Sequence, residues 1–304
     1  MNKNYERLLI KQNAAPKRSL RITWLGTAGI YLTDGKTGIL IDPYVSRFGI
    51  CRIALGLSLE PNRALVRQWT GLFGKNNIDA VIVSHSHFDH AADAPYFAAE
   101  THAPLVGTES TLNIGRGYGL TEKQLMAAPY GSIMRFGNFT VTFIESAHGP
   151  AFLGRVPYPG FIDRPLVPPV KAANYRLGGV FSLRIEHPDA TIIHHGSAGF
   201  KPGMYDDAIA DILLLGIGGR GDTDRYLEDV ALPTRARLVI PVHLDYFFKP
   251  LEAGMSLLPG VRFGEFLRQA KKYSSSFSLS TLPFCQEVAL PLPEDPVASP
   301  VPGP

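Results

Sequence analysis

The sequence predicts an α/β protein in which a sheet assembly carries a chemical site along one edge. Three observations lead there. Short β-branched runs recur along the chain with Gly and Asp-Gly turns between them. Helix-like stretches are few and short. Most histidines stand where an apolar run ends and a loop begins, and loops held by rigid strands are where chemistry is placed.

Composition sets the broad class. The chain has 304 residues, 45% of them hydrophobic and 19% charged, which suits one large globular domain. The net charge of +3 and the lack of a basic stripe argue against a nucleic-acid partner. Cys51 and Cys285 are far apart and form no disulfide framework. The N-terminus lacks the apolar core of a secretory signal, and no run is long enough to span a membrane. A cytoplasmic location follows as the expectation.

In chain order, residues 1–18 are polar and read as an arm. "LRITWLG", "GIYLTD" and "GILIDP" read as strands. Residues 44–73 are apolar and irregular, with a turn near Glu60-Pro61-Asn62, and read as a lid or packed loop. "IDAVIVSHSH" is a buried strand running into a loop. "DAPYFAAETHA" reads as a short helix, "PLVGT" as a strand, and "LTEKQL" as a helix start capped by Thr121. "FGNFTVTFIESAHGP" alternates as a strand and leads to His148. Residues 150–174 are Pro-rich and read as a long flap. "VFSLRIEHPDATIIHH" forms a hairpin around Pro188-Asp189; "DILLLGIGG" and "ARLVIPVHLD" are buried strands. The end of the chain, 286–304, reads as a Pro-rich tail. That leaves one domain over 19–285 with insertions at about 44–73 and 150–174.

Histidine is scarce, nine in all, yet three of them and an aspartate fall within "HSHFDH", His85 to His90. His85 and His87, one residue apart, can face one metal. Asp89 and His90 can turn to a second position. Imidazole and carboxylate are the ligands of zinc and related first-row metals.

"SHSHFDH", preceded by "WLGTAGIYLTDGKTGILIDPY", resembles the metallo-β-lactamase superfamily over about residues 20–250. The "ITWLGTAGIYL…ILIDP" opening and the "IPVH" ending look like the branch of L-ascorbate-6-phosphate lactonases and N-acyl-phosphatidylethanolamine-type phosphodiesterases. The resemblance implies an αββα sandwich: two mixed β-sheets flanked by helices, with one or two metal ions at the edge. It assigns His85, His87 and His148 to a first metal, and Asp89, His90 and His243 to a second. Asp42 matches a position that orients a metal-binding imidazole.

One position departs from the family pattern. The aspartate that usually bridges both metals is replaced in "IIHHGSAGF" by Ser197. Asp89 is then the only anionic ligand among the matched residues, and two divalent cations a few ångströms apart repel strongly. Three outcomes are open: a weak or missing second metal; His194 or His195 as an extra ligand; or another carboxylate arriving in space, with Asp222, Asp224 and Asp245 as candidates. Because neighbours on a strand alternate, one of His194 and His195 should face the site.

The resulting expectation is a metal-dependent hydrolase that uses a metal-activated water on an ester, lactone or phosphodiester. Zn2+ is the first choice, as one or two ions, with Mn2+ or Fe as alternatives. Asp89 orients or deprotonates the water, and Arg220 in "GIGGRGDTDR" stabilises developing negative charge. Tyr44, Phe48, Trp69, Tyr158 and Phe161 are candidates for an apolar pocket suited to a small-molecule or lipid-like substrate. The oligomeric state is left open. The competing expectations are a metal-binding redox or sensor protein and a degenerate binding protein of the same fold.

Overall fold

In the computed structural model of the chain, the described residues are 2–10, 20–74, 77–151 and 154–290. Helix α1 (Lys3–Arg7) is followed by strands β1 (Arg21–Trp24), β2 (Ile30–Thr33) and β3 (Gly38–Ile41). Next come α2 (Ile50–Ala54), β4 (Ser58–Leu59), α3 (Arg63–Phe73), β5 (Ala80–Ile82), α4 (Phe88–Ala91) and α5 (Ala94–Thr101). Then follow β6 (Leu105–Gly107), α6 (Glu109–Tyr118), β7 (Leu125–Ala127), β8 (Ile133–Phe136), β9 (Phe139–Glu145) and β10 (Val170–Lys171). The second half holds β11 (Phe181–His187), β12 (Ala190–His195), β13 (Ile212–Gly216), α7 (Thr223–Tyr226), β14 (Leu238–Val242), α8 (Phe263–Ala270), β15 (Ser278–Leu279) and β16 (Glu287–Ala289).

Two seven-stranded mixed sheets form the body, in the orders β16-β1-β2-β3-β5-β6-β7 and β15-β14-β13-β12-β11-β9-β8. Period-two alternation sorts their side chains. Ile39 and Ile41 of β3 enter the core between the sheets with Phe143, Leu183 and Ile192. Leu40, between them, packs outward with Val66 and Phe73 of α3, Phe97 of α5 and Ile114 of α6. Helices therefore cover the outer face of the first sheet, as the αββα expectation requires.

Several local expectations are corrected. Residues 2–10 are not a free arm: Asn2 caps α1, Tyr5 is fully buried with its hydroxyl donating to the Leu282 carbonyl, and Leu9 bridges to Thr281. The part of that arm over 11–18 lies outside the described residues. The tail begins later than expected, because Glu287–Ala289 pairs with β1; residues 291–304 lie outside the described residues. Thr121 stands, without a side-chain capping hydrogen bond, before only a short 3-10 turn that runs straight into β7. The neighbouring helix is α6, whose Gly115 and Gly117 hid it from propensity. A Cβ at Gly115 would stand 2.8 Å from Leu105 and 2.7 Å from Leu125, so glycine lets this helix lie close to the sheet.

Residues 44–73 are more regular than expected. They hold α2, β4 and α3, the last capped by Asn62, whose side chain accepts from the amides of Ala64 and Leu65. Strand β4 pairs with β10, Leu59 opposite Val170, so the two insertions are joined to each other.

Candidate metal centre

The site is assembled from strand ends on one edge of the sandwich. The chain leaves β5 as Ser84-His85-Ser86-His87 and turns at once into α4, which carries Asp89 and His90. His148 follows β9, and His243 follows β14. Asp42 follows β3. Asp42 and His243 both have positive φ, 46° and 51°, a conformation that non-glycine residues keep only where their surroundings enforce it.

These residues form two clusters. In each of His85/His87/His148 and Asp89/His90/His243, one ligand atom per residue lies within 4.8 Å of the others. Within the first, ring centroids are 4.7 to 4.9 Å apart. The clusters adjoin, with the rings of His85 and His90 3.9 Å apart. Asp89 Oδ2 lies 3.4 Å from His243 Nε2 and 3.7 Å from His90 Nε2.

A metal fits these groups on a direct test. The Nε2 atoms of His85, His87 and His90 are buried and have no hydrogen-bond partner. A buried polar atom without a partner is costly, and several converging imidazole nitrogens are the donor set of a first-row metal. The other ring nitrogens fix the rings. His90 Nδ1 lies 2.9 Å from Asp42 Oδ2, and His148 Nδ1 lies 2.6 Å from the Gly149 carbonyl. Asp42 is itself held by the Ser84 amide at 2.6 Å and the Ser84 hydroxyl at 2.5 Å.

The electrostatics of the first cluster agree. Burial, reinforced by neighbouring histidines, pushes His85 well below the usual imidazole range. Burial likewise takes His87 down to about 4 and His148 down to about 3. Neutral imidazole is the form that coordinates. Burial also opposes charge on His90, but Asp42 and Asp89 outweigh it and raise its pKa. Asp89 is the reverse case: burial favours its neutral form, yet His90, His243 and His87 hold it ionised well below the usual carboxylate range.

A cleft of about 1030 Å³ opens above the clusters, with His87, Asp89, His148 and His243 in its lining. Ile50 and Ile53 of α2 form part of its wall, with Tyr158 from the 150–174 insertion and Phe247, Phe248 and Leu258 beyond β14.

Residues 21–243 match the family described as the β-lactamase superfamily domain. The chain belongs to the metallo-β-lactamase superfamily. A UPF0173 metal-dependent hydrolase of Pyrobaculum islandicum is 26% identical over 238 residues, covering 75% of this chain and 85% of the relative. In fold, the chain is similar to Igni18, a metallo hydrolase of Ignicoccus hospitalis: TM-score 0.58 at 17% identity, over 88% of this chain and 97% of that one. It is also similar to CmlA, a diiron β-hydroxylase of Streptomyces venezuelae: TM-score 0.56 at 13% identity, over 91% of this chain and 55% of that one.

The resemblance matches Ser197 to the usual bridging aspartate. Ser197 lies in the cleft lining, and its hydroxyl accepts from the Gly149 amide at 3.3 Å. None of the expected substitutes joins either cluster. His194 Nε2 is 2.8 Å from the Ala28 carbonyl, and His195 Nδ1 is 2.7 Å from the Tyr205 hydroxyl. The two rings do diverge, as alternation requires: His194 lies on the Asp42 side, whereas His195 packs against Tyr205 and Tyr226. Asp222 caps α7, Asp224 pairs with Lys272, and Asp245 pairs with Arg47.

Arg220 is also corrected. Its guanidinium donates to the carbonyls of Ile217, Val261 and Arg262 and to the Thr223 hydroxyl, and it lies over the Phe266 ring. With its donors engaged, it ties the loop after β13 to the start of α8 and does not enter the cleft lining.

The expected aromatic pocket is right only for Tyr158. Tyr44 and Phe48 are buried against Phe88, Trp69 packs on Phe73, and Phe161 is exposed. The sequence reading missed Ser84, Arg155, Phe247 and Phe248. "HLDYFFKP" did carry a signal: an aromatic pair four and five residues past a strand-end histidine.

Proposed function

We propose that the chain is a metal-dependent hydrolase acting on an ester, lactone or phosphodiester whose substrate carries an apolar portion. The observation behind this reading is the placement of two His/Asp clusters at the base of an apolar cleft. Zinc, as one or two ions, suits this donor set best, with manganese and iron as alternatives. When bound, the metal supplies Lewis acidity and a water nucleophile at neutral pH.

The residues divide the remaining work. His85, His87 and His148 would hold a first ion, and His90, His243 and Asp89 a second where one binds. Asp89 is held ionised and borders the cleft, so its carboxylate would accept a hydrogen bond from a water there and orient it. Asp42, through Nδ1 of His90, keeps that ring's Nε2 turned to the site. Ser197 brings a neutral hydroxyl where a bridging carboxylate would add charge, which disfavours occupancy of both positions at once. Tyr158 and the phenylalanines beyond β14 exclude water and receive the apolar portion. No described helix is long and apolar enough to cross a membrane. The unpaired thiols of Cys51 and Cys285 fit a cytoplasmic location.

The test is elemental analysis of the purified chain together with hydrolysis assays on esters, lactones and phosphodiesters of graded chain length. Metal-dependent turnover that rises with chain length is expected. Bound metal without turnover of any substrate would instead favour a redox, sensor or binding role.

A further inference from the structure

We propose that Arg155 reads a negative charge on the ligand, so that the cleft is built for an amphiphilic anion. This deepens the hydrolase reading and rests on the same cleft. Arg155 is exposed and is the one lysine or arginine among the described residues of the cleft lining. Its guanidinium has no ion pair or hydrogen bond to another described residue. The other charged or ionisable lining groups are Asp89, His87, His148 and His243, apart from the weakly acidic Tyr158. Asp89 Oδ2 lies near His90 and His243, and no ion pair joins Asp89 to Arg155 among the described residues.

The setting gives this charge its meaning. Much of the lining it belongs to is apolar, with Val156 next to it in sequence and Ile50, Phe247 and Phe248 elsewhere. A guanidinium bordering apolar walls binds an anion more strongly than one in open water, because nearby low-dielectric surface weakens screening. Its fork geometry suits carboxylate, phosphate and sulfonate oxygens. Arg220, the arginine that the sequence suggested for this task, is engaged by backbone carbonyls, so Arg155 is the cation left to perform it. The ligand then spans three zones: a reacting group at the metal clusters, an aliphatic or aromatic portion along the walls, and an anionic group at Arg155.

The position of Arg155 also separates its role from that of the clusters. It belongs to the 150–174 insertion, which is fastened to the 44–73 insertion through Val170 and Leu59. Ile50 and Ile53 come from that second insertion. The two insertions thus supply the charge and part of the apolar wall together, as one specificity element above the superfamily's metal edge.

The test is binding of decanesulfonate and decanol to the metal-loaded full chain by isothermal titration calorimetry. A sulfonate is a poor metal ligand and offers no bond to hydrolyse, so the result does not depend on turnover. Arg155→Gln should weaken decanesulfonate binding about tenfold or more while leaving decanol unchanged. Arg155→Lys should retain part of the difference. Arg164→Gln, at an exposed arginine of the same insertion outside the cleft lining, should change neither. The proposal is overturned if Arg155→Gln leaves sulfonate binding intact, if it weakens both ligands equally, if Arg164→Gln has the same effect, or if the wild type binds no sulfonate. Sulfonate binding lost in Arg155→Gln by a chain that hydrolyses nothing would uphold this assignment and sink the hydrolase reading. Turnover of neutral and anionic esters with equal KM in wild type and Arg155→Gln would do the opposite.

Discussion

Arg47 and Asp245 form a fully buried ion pair, with Arg47 Nη1 2.7 Å from Asp245 Oδ2. The pair joins the segment after β3 to the loop after β14. Asp245 Oδ1 also accepts from the Thr27 amide at 2.6 Å, while the Thr27 carbonyl accepts from the His243 amide at 2.7 Å. Arg47 in turn donates to the Leu25 carbonyl. The turn after β1 is therefore held from both sides, and it holds the backbone of His243 at its positive φ. Removing one partner of a buried pair leaves an uncompensated charge, at a cost of about 3–5 kcal/mol. Asp245→Ala should lower stability by that order in chemical denaturation and should loosen metal at the Asp89/His90/His243 cluster. Arg47→Met combined with Asp245→Leu should recover part of the stability. Unchanged denaturation midpoints in Asp245→Ala would show the pair to be energetically silent.

The first cluster should be the tighter metal position. His87→Ala removes one of three imidazoles, and two ligands hold a divalent ion poorly. Elemental analysis of wild type and mutant, dialysed in parallel, should show most of that metal lost. Full retention in the mutant would remove the cluster from consideration.

Asp42→Asn isolates the effect of charge beside His90. Asparagine tolerates the left-handed φ of 46° at this position, so the backbone need not move. The substitution removes the anion that accepts from His90 and from the Ser84 amide and hydroxyl. Metal affinity at the second cluster should fall by about 10–100-fold, the usual effect of losing such a partner. Metal titration monitored by competition with a chromophoric chelator measures it. Equal affinity in the mutant would mean that Asp42 is needed only for the turn.

The insertions make a prediction for proteolysis. Tyr44, Phe48 and Leu59 are buried and residues 63–73 are helical, so the first insertion should resist cleavage. The stretch between His148 and Val170 has no helix or strand among its described residues and should be cut first. Protection on adding an anionic amphiphile would support its role in covering the cleft. Cuts confined to the two chain ends would count against a lid.

Much of the site was legible because its chemistry is local. "HSHFDH" spans two clusters through one loop and one short helix, so spacing alone revealed it. His148 and His243 end strands, and the family resemblance is what joined them to the motif. The strands themselves carried clear β-branched runs, but α6 did not read as a helix, because Gly115 and Gly117 answer to packing against Leu105, Leu125 and Leu166 rather than to propensity. Arg220 misled for a related reason. A glycine-flanked loop arginine looks free in sequence, and only the fold brings the carbonyls of Val261 and Arg262 to it. Phe247, Phe248 and Arg155 lie far from the motif in sequence, and only the folded insertions bring them to the cleft.

Ser197 bears on how many metal ions the site keeps. It lies in the cleft lining and is 6% exposed, and its hydroxyl accepts from the Gly149 amide at 3.3 Å. His194, His195, Asp222, Asp224 and Asp245 all have other partners, so no described carboxylate replaces the missing bridge. Two divalent ions would then face a single ligating anion, Asp89. The wild type should therefore keep close to one equivalent of metal after dialysis against a weak chelator and hold a second only loosely. Ser197→Asp adds one negative charge where the two cations would meet. Coulomb attraction at that distance is large even after desolvation is subtracted, so the mutant should keep closer to two equivalents. It should also lose less metal as chelator is raised. If the wild type already keeps two, repulsion is relieved by some group other than a bridging carboxylate, such as an anion bound in the cleft. If the mutant gains nothing, the side chain at 197 does not reach the metals, and its match to the family's aspartate fails. Metal content of the two proteins, measured side by side, decides among these outcomes.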